Sequence, residues 1–309
     1  MDYNLITILG PTAVGKTHLA ALLANHFDGE IISADSRQVY KGMDIGTGKD
    51  LTDYLVDEKI VPYHLIDVID PKDEFNLFLF NKMFYEAFNQ IVSRGKIPFL
   101  VGGSGLYLHS ILKSYDLNQV EFDNARFNEL NKLSTEELTS ILKNISPSLH
   151  NTTDLLVKER VIRAIMIAEK EKHRKIVGVH PFGKMKTNIN SLVIGVMLER
   201  EEIKKRITTR LKNRLQSGMI DEVKRLINEG ITFERLELLG LEYKYVGKYL
   251  KDEMSYDAMF QKLNREIHGF AKRQMTWFRK MEREGIEINW IDGPNYKTAE
   301  QIILLHYFS

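Results

Sequence analysis

Gly-Pro-Thr-Ala-Val-Gly-Lys-Thr stands at residues 10–17 and fits the pattern G-x-x-x-x-G-K-[ST] at every fixed position. The apolar run 5–9 before it predicts a buried strand, and apolar residues at helical spacing over 19–27 predict a helix after it. In this context the backbone N–H groups surround phosphate oxygens, Lys16 adds a positive charge and the Thr17 hydroxyl can hold Mg²⁺. The loop is typical of nucleotide-binding proteins, ATP-binding ones included, but by itself it does not identify which phosphates are bound.

The composition is that of a protein with a large core and no dominant charge. Hydrophobic residues make up 43% of the 309 residues, which is ample for a packed core. The 43 Lys and Arg against 42 Asp and Glu leave a net charge of +1, so any basic surface must be local. The absence of Cys excludes disulfides and thiolate zinc sites. We expect no signal peptide, no membrane span or membrane partner, and a cytoplasmic location.

The order of elements predicts an α/β fold. Short apolar strands alternate with helices over residues 1–115, which is the pattern of a parallel sheet covered on both faces. Residues 116–190 instead show helical periodicity with no convincing strand before the apolar run 192–197, and we interpret them as an inserted helical subdomain. Residues 191–309 then form the second part of the core and end in basic helices.

Two predicted strands end in segments suited to a ligand site. Asp35 ends the strand 31–35, the strand 97–101 runs into Gly-Gly-Ser-Gly at 102–105, and 63–68 is a further candidate strand. Ligands bind at the carboxyl ends of parallel strands. Because no carboxylate follows 97–101, an ordinary ATPase is disfavoured. The residues alone leave three roles open for Asp35: holding hydrated Mg²⁺, acting as a general base, or capping a helix.

Basic side chains are concentrated in two predicted helices. One runs from about Arg200 to Gly218, directly after the strand 192–197, and the other alternates basic and aromatic residues over 265–283. Such runs are most often solvated faces. Contact with a nucleic-acid backbone is the competing interpretation, favoured by the aromatic residues and by the proximity of the first helix to the phosphate-binding edge.

Four blocks together resemble one family, the tRNA dimethylallyltransferases, also called tRNA isopentenyltransferases. The blocks are the phosphate loop, IISADSRQVYKGMDIGTG at 31–48, VGGSGLY at 101–107 and AKRQMTWF at 271–278. The resemblance runs nearly end to end and is weakest in the predicted insertion. It implies a P-loop NTPase-like parallel sheet flanked by helices. It also implies transfer of a dimethylallyl group from its diphosphate to N6 of the adenosine 3′-adjacent to the anticodon of tRNA, with release of diphosphate.

The resemblance implies a diphosphate site at the loop and a catalytic aspartate. Asp35 matches the aspartate that accepts the N6 proton, while Lys16 and Arg210 would stabilise the leaving diphosphate and Thr17 would hold the Mg²⁺ cofactor. Ser104 replaces the usual Thr of the family. The residues implied to bind diphosphate are Gly10, Thr12, Ala13, Val14, Gly15, Lys16, Thr17, Ser104 and Arg210.

The same resemblance implies a surface for the tRNA anticodon stem-loop. The residues carried over are Asp35, Ser36, Arg37, Gln38, Ser104, Arg126, Glu159, Arg160, Val161, Ile162, Arg163, Lys272, Arg273 and Gln274. The segment 165–172 departs from the bacterial pattern. The zinc-binding extension of eukaryotic members is absent, in agreement with the lack of Cys.

Three other functions compete with this interpretation. An adenylate isopentenyltransferase shares the diphosphate site but acts on a free nucleotide, and the segments 159–163 and 265–283 argue against it because it needs no tRNA surface. The remaining rivals are a small-molecule kinase that uses ATP and a non-catalytic tRNA-binding module. We expect a monomeric enzyme whose partners are dimethylallyl diphosphate and tRNA.

Overall fold

The computed structural model describes residues 3–115, 124–145, 158, 161–162, 164–166, 168–169 and 187–308. The chain divides into two compact units. The first consists of Met1–Tyr115 and Thr187–Ser309, and the second of Asp116–Lys186. The second unit covers most of the segment interpreted above as an insertion.

A six-stranded sheet forms the centre of the first unit. The strands of the chain are β1 (Leu5–Leu9), β2 (Gly29–Ala34), β3 (Leu55–Val56), β4 (Lys59–Ile60), β5 (Tyr63–His64), β6 (Ile97–Gly102), β7 (Ser191–Met197) and β8 (Asn289–Asp292). The sheet order is β5-β2-β6-β1-β7-β8, and β3 and β4 form a separate antiparallel pair. Every pairing in the large sheet is parallel. The segments that follow β1, β2, β6 and β7 therefore meet at one edge.

Helices cover both faces of this sheet. Those of the first unit are α1 (Lys16–His26), α2 (Leu77–Ser93), α3 (Gly105–Leu112), α6 (Arg200–Gln216), α7 (Met219–Asn228), α8 (Phe233–Leu239), α9 (Leu241–Leu250), α10 (Tyr256–Arg283) and α11 (Tyr296–His306). Helices α1 and α11 pack on one face, where Ile8 points, and α2, α3 and α10 pack on the other, where Leu9 points. Both faces are buried, which explains why all five residues of β1 are buried and four of them are apolar.

A third cluster of buried residues joins helices α6 to α10 to the segment that follows β2. Val39 and Met43 of that segment pack with Ile207 of α6, Tyr243 of α9 and Leu263 of α10. This packing brings the helix that carries Arg210 against the carboxyl edge of the sheet. No helix in the described part of the chain has the length and apolar character needed to cross a membrane.

The second unit has a small core of its own. It contains α4 (Asn124–Leu130) and α5 (Thr135–Ile145), whose buried Leu130, Leu138 and Leu142 pack with helical residues further along the chain. Val161 and Ile162 belong to this core and are almost fully buried. Their side chains are therefore structural, which corrects any expectation that these side chains contact tRNA.

Candidate active site

The phosphate loop leaves β1 and enters α1 at Lys16, as the sequence predicts. Two of its residues adopt left-handed backbone conformations, Ala13 with φ of 70° and Gly15 with φ of 83°. A non-glycine residue pays about 1 kcal/mol or more there, and such strain is typical of functional loops. The Val14 side chain is buried in the core, so Val14 can offer phosphate only its backbone N–H. The loop thus presents main-chain donors at a helix N-terminus, a favourable place for an anion.

Two cations adjoin the loop. The Lys16 Nζ donates to the Pro11 carbonyl at 3.3 Å, and the Arg210 Nη2 donates to the Thr12 hydroxyl. Burial lowers the pKa of Lys16 to about 8; Asp35 opposes this shift and Arg210 adds to it. Burial likewise lowers the pKa of Arg210 to about 10. Both side chains are positively charged at neutral pH, and neither forms an ion pair with the described residues.

Asp35 and Ser104 lie at the ends of the neighbouring strands β2 and β6. The Asp35 Oδ1 accepts the Arg37 N–H at 2.8 Å, and the Ser104 Oγ accepts the Ser36 N–H at 3.1 Å. Residues 36–39 form turns, so no helix begins within this described segment. The capping role for Asp35 is therefore excluded. Its second oxygen, Oδ2, has no hydrogen bond to the described residues and is left for other chemistry.

The segment after β2 is tied to more distant parts of the unit. The Gln38 Nε2 donates to the Gly48 carbonyl at 3.1 Å, and the Arg37 Nη1 donates to the Leu238 carbonyl at 2.6 Å. All four residues of the predicted Asp35–Gln38 group are only partly buried. Residues 35–38, which we call the Asp35 wall, therefore form a partly exposed surface beside the phosphate loop.

Glu222, at the start of α7, holds the backbone of the segment that follows this wall. Its carboxylate accepts the N–H groups of Asp44, Ile45 and Gly46 at 2.7, 2.8 and 3.0 Å. It also accepts the hydroxyl of Tyr243 at 2.8 Å. The sequence gives no signal for Glu222, because a Glu in the first turn of an amphipathic helix looks like an ordinary surface residue.

Gln274, on the buried side of α10, connects the two glycine-rich loops. Its Oε1 accepts the Thr12 N–H at 2.9 Å and its Nε2 donates to the Gly103 carbonyl at 2.9 Å. The side chain is buried, whereas the neighbouring Lys272 and Arg273 are exposed. The expectation that Gln274 contacts tRNA is corrected by this geometry, since both ends of its amide are used inside the protein.

Arg214 and Glu242 form a pair of opposite charges near Arg210. The Arg214 Nη1 lies 3.8 Å from a Glu242 carboxylate oxygen, and burial raises the pKa of Glu242. Arg214 opposes that rise. The sequence marks Arg214 only as one of the cations of the basic helix and gives no signal for Glu242, because neither residue belongs to a recognised block.

The remaining predicted tRNA-binding residues belong to the second unit. Arg126, on α4, forms ion pairs with Glu129 and Glu169. Glu159, Arg160 and Arg163 lie outside the described residues.

Thr17 is suited to the Mg²⁺ expected from the motif. Its hydroxyl makes no hydrogen bond to the described residues and stands in the first turn of α1. The described residues contain no cluster of three or more His, Asp or Glu able to hold a metal. Mg²⁺ commonly takes one or two protein oxygens, several waters and substrate phosphates, so the donors present fit it as a companion of a bound diphosphate.

Comparisons with known proteins show which family the chain resembles. Residues 38–281 match the family model described as IPP transferase, and residues 3–65 match that described as isopentenyl transferase. The chain is 50% identical to tRNA dimethylallyltransferase 1 of Geotalea uraniireducens (strain Rf4) over 99% of each protein. It is 51% identical to tRNA dimethylallyltransferase 1 of Syntrophus aciditrophicus (strain SB) over 97% of each.

Solved structures extend the comparison to the fold. A tRNA isopentenylpyrophosphate transferase from Bacillus halodurans aligns with a TM-score of 0.67 at 32% identity, covering 99% of this chain and 95% of that one. A eukaryotic dimethylallyltransferase acting on tRNA aligns with a TM-score of 0.74 at 21% identity, covering 98% and 78%, and supports the fold alone. Near-complete coverage at half identity leaves one conclusion: this chain belongs to the tRNA dimethylallyltransferases, the family of the IPP transferases.

Proposed function

We propose that this enzyme transfers a dimethylallyl group from dimethylallyl diphosphate to N6 of the adenosine 3′-adjacent to the anticodon of tRNA. The observation that carries this proposal is the placement of Asp35 at the sheet edge that also holds the phosphate loop, Lys16 and Arg210. The electrostatic influence of Asp35 on both cations supports their proximity. The groups proposed to bind the diphosphate and the base proposed to act on the attacking nitrogen therefore lie at the same edge of the sheet.

On the donor side, the loop and its cations would bind the diphosphate. As the allylic C–O bond breaks, negative charge builds up on the departing oxygens, and Lys16 and Arg210 stabilise it. The bonds of these side chains to Pro11 and Thr12 hold them beside the loop before substrate arrives. Mg²⁺, held through the Thr17 hydroxyl, would supply further neutralisation of the diphosphate.

On the acceptor side, Asp35 would take the N6 proton as the nitrogen attacks. An exocyclic amine is a poor nucleophile because its lone pair is delocalised into the ring, so a carboxylate placed beside it accelerates the reaction. The free Oδ2 of Asp35 is the atom for this role, since Oδ1 is held by the Arg37 N–H. Ser36, Arg37, Gln38 and Ser104 lie near this carboxylate and would contact an adenine extruded from its stack.

A basic stripe on α10 supports tRNA as the acceptor. We use this name for the four exposed residues Arg265, Lys272, Arg279 and Arg283. Their spacings of seven, seven and four residues put them on one side of the helix, along about 27 Å. None of the four forms an ion pair with the described residues. Such a row fits a nucleic-acid backbone and exceeds the needs of a free nucleotide.

We propose that the part of tRNA in contact with the enzyme is the anticodon stem-loop. The anticodon stem-loop presents both a phosphate backbone for the basic stripe and unpaired bases for the Asp35 wall. Arg126, Glu159, Arg160 and Arg163 remain proposed contacts to it. We propose that the enzyme works as a monomer in the cytoplasm.

The test is acceptor competition with radiolabelled dimethylallyl diphosphate and Mg²⁺. We expect label on tRNA that lacks the modification, at the adenosine next to the anticodon, and none on AMP. Label on AMP and not on tRNA would identify an adenylate isopentenyltransferase instead. Turnover of ATP without prenyl transfer would identify a kinase, and tRNA binding without any transfer would leave only a binding module.

A further inference from the structure

We infer that Gln274 is a positioning residue that joins the phosphate loop to the 102–105 loop and thereby sets the affinity for diphosphate. This role differs from the tRNA contact that its position in the AKRQMTWF block suggests. The inference rests on the proposed function in one respect, namely that the phosphate loop binds diphosphate. The inference goes beyond that function because it concerns which residue maintains the conformation of the phosphate loop.

The burial of Gln274 directs it to the loops and not to solvent. It lies on the packed side of α10 between Ala271 and Phe278, and only 5% of its surface is exposed. The Thr12 N–H and the Gly103 carbonyl occupy the two ends of its amide, each at 2.9 Å. A tRNA base has no access to an amide that is enclosed and already bonded at both ends.

The contact is tight as well as polar. A Cβ atom at Gly103 would lie 2.3 Å from the Gln274 Nε2 and 3.1 Å from the Gly10 carbonyl oxygen. Gly103 therefore lets three segments touch at one point: the beginning of the phosphate loop, the 102–105 loop and α10. Because both loops follow neighbouring strands of the sheet, Gln274 fixes the gap between them.

Thr12 links the Gln274 contact to the groups proposed to bind diphosphate. Gln274 holds the Thr12 backbone N–H, while Arg210 donates to the Thr12 hydroxyl. Loss of the Gln274 bond leaves a partly buried N–H without its acceptor and frees Thr12 to turn. Arg210 then loses the partner that orients it toward the loop. The loop donors and Arg210 would both be less well arranged for an anion.

Glutamine is the side chain that this geometry requires. It carries an acceptor and a donor on one amide, matching an N–H on one side and a carbonyl on the other. Glutamate has the same length, but its second oxygen would face the Gly103 carbonyl and repel it. Methionine has nearly the same volume and neither polar group. These two substitutions therefore separate hydrogen bonding from packing.

The test measures binding of inorganic diphosphate, with Mg²⁺, by calorimetry in the absence of tRNA. We expect Gln274→Met, which removes both hydrogen bonds of the amide, to raise the Kd about tenfold. Gln261→Met, on an exposed position of the same helix, is the matched control and should leave the Kd unchanged. In steady state, the KM for dimethylallyl diphosphate should rise in Gln274→Met while the Kd for tRNA stays at the wild-type value.

Gln274→Glu provides a readout that packing alone would not move. As the pH falls, the introduced carboxyl becomes protonated and can donate to the Gly103 carbonyl, so its diphosphate Kd should approach that of the wild type measured at the same pH. Gln274→Met should show no such recovery.

The outcomes separate this inference from the proposed function. A wild-type Kd in Gln274→Met, with or without a lower melting temperature, would overturn the inference, as would weakened tRNA binding with normal diphosphate binding. Failure of the wild-type protein to bind diphosphate or to prenylate tRNA would instead overturn the proposed function.

Discussion

Asp35 combines two tasks in one carboxylate, and they can be separated by substitution. Oδ1 shapes the turn by accepting the Arg37 N–H, and the free Oδ2 is proposed to accept the N6 proton. Asp35→Asn keeps an oxygen for the turn but removes the base. We expect single-turnover transfer to fall about 10²- to 10⁴-fold, while the Kd for tRNA changes little. A variant with wild-type transfer rates would disprove the role of Asp35 as base.

Lys16 should make the proposed binding of diphosphate sensitive to pH. Its pKa is lowered from 10.5 to about 8 by burial, so it is almost fully charged at pH 6 and loses its charge as the pH rises through about 8. The Kd for diphosphate should therefore rise on the alkaline side. The titration of diphosphate itself is removed by comparison with Lys16→Met, which binds more weakly and should lack this alkaline step. Parallel pH profiles for the two proteins would refute the assignment.

Glu222 is expected to matter for stability. Glu222→Ala leaves three backbone N–H groups and the Tyr243 hydroxyl without their acceptor, at a cost of about 3 kcal/mol or more. The melting temperature should fall by several degrees. Glu287→Ala, on an exposed residue, is the control and should change the free energy of unfolding by less than about 0.5 kcal/mol. Equal effects of the two substitutions would show that the Glu222 contacts contribute nothing.

The sequence predicts these residues unequally, for a physical reason. Lys16 and Thr17 lie in a contiguous motif whose function depends on local backbone shape. Glu222 and Gln274 act on residues 178 and 262 positions away, and those pairs exist only after the sheet and helices have packed. A single sequence carries no local signal for such contacts, so the block containing Gln274 suggested the wrong partner.

At the level of elements, hydrophobic periodicity predicted the central strands and the phosphate-loop helix well, because buried strands are continuously apolar. The candidate strand at 63–68 is the exception, since it pairs only over Tyr63–His64. Leu65 and Asp67 have φ of 64° and 53°, and left-handed residues cannot continue a strand. Positive φ at Leu is rare, and periodicity gives no warning of it.

The basic stripe on α10 leads to a prediction for the whole element. Each of Lys272→Ala and Arg279→Ala should weaken tRNA binding and reduce the slope of log K against log salt by roughly 0.7 to 0.9 per lost phosphate contact. Diphosphate affinity should be unaffected, because these side chains are exposed on the side of α10 opposite Gln274. Lys297→Ala, an exposed lysine on α11, is the control. An unchanged salt slope in both stripe variants would exclude the stripe as a tRNA contact.

At the level of the whole molecule, the parallel sheet determines where the chemistry is possible. The segments after β1, β2 and β6 supply the phosphate loop, Asp35 and Ser104, and α6 after β7 supplies Arg210. The sequence predicted this arrangement because four strand ends of one parallel sheet share an edge. It could not predict how helices α6 to α10 close over that edge, since their contacts join segments far apart in the chain.

Because the proposed diphosphate site is built from segments throughout the first unit, its occupancy should stabilise that unit as a whole. Inorganic diphosphate at a hundred times its Kd should add about 2.7 kcal/mol to the free energy of unfolding. If Mg²⁺ binds through Thr17 together with diphosphate, chelation of Mg²⁺ should reduce the rise in melting temperature that diphosphate causes. Thr17→Val keeps the shape of the side chain but lacks the hydroxyl, so its smaller rise should be insensitive to Mg²⁺. The same rise in the wild-type protein with and without Mg²⁺ would show that the metal takes no part in diphosphate binding.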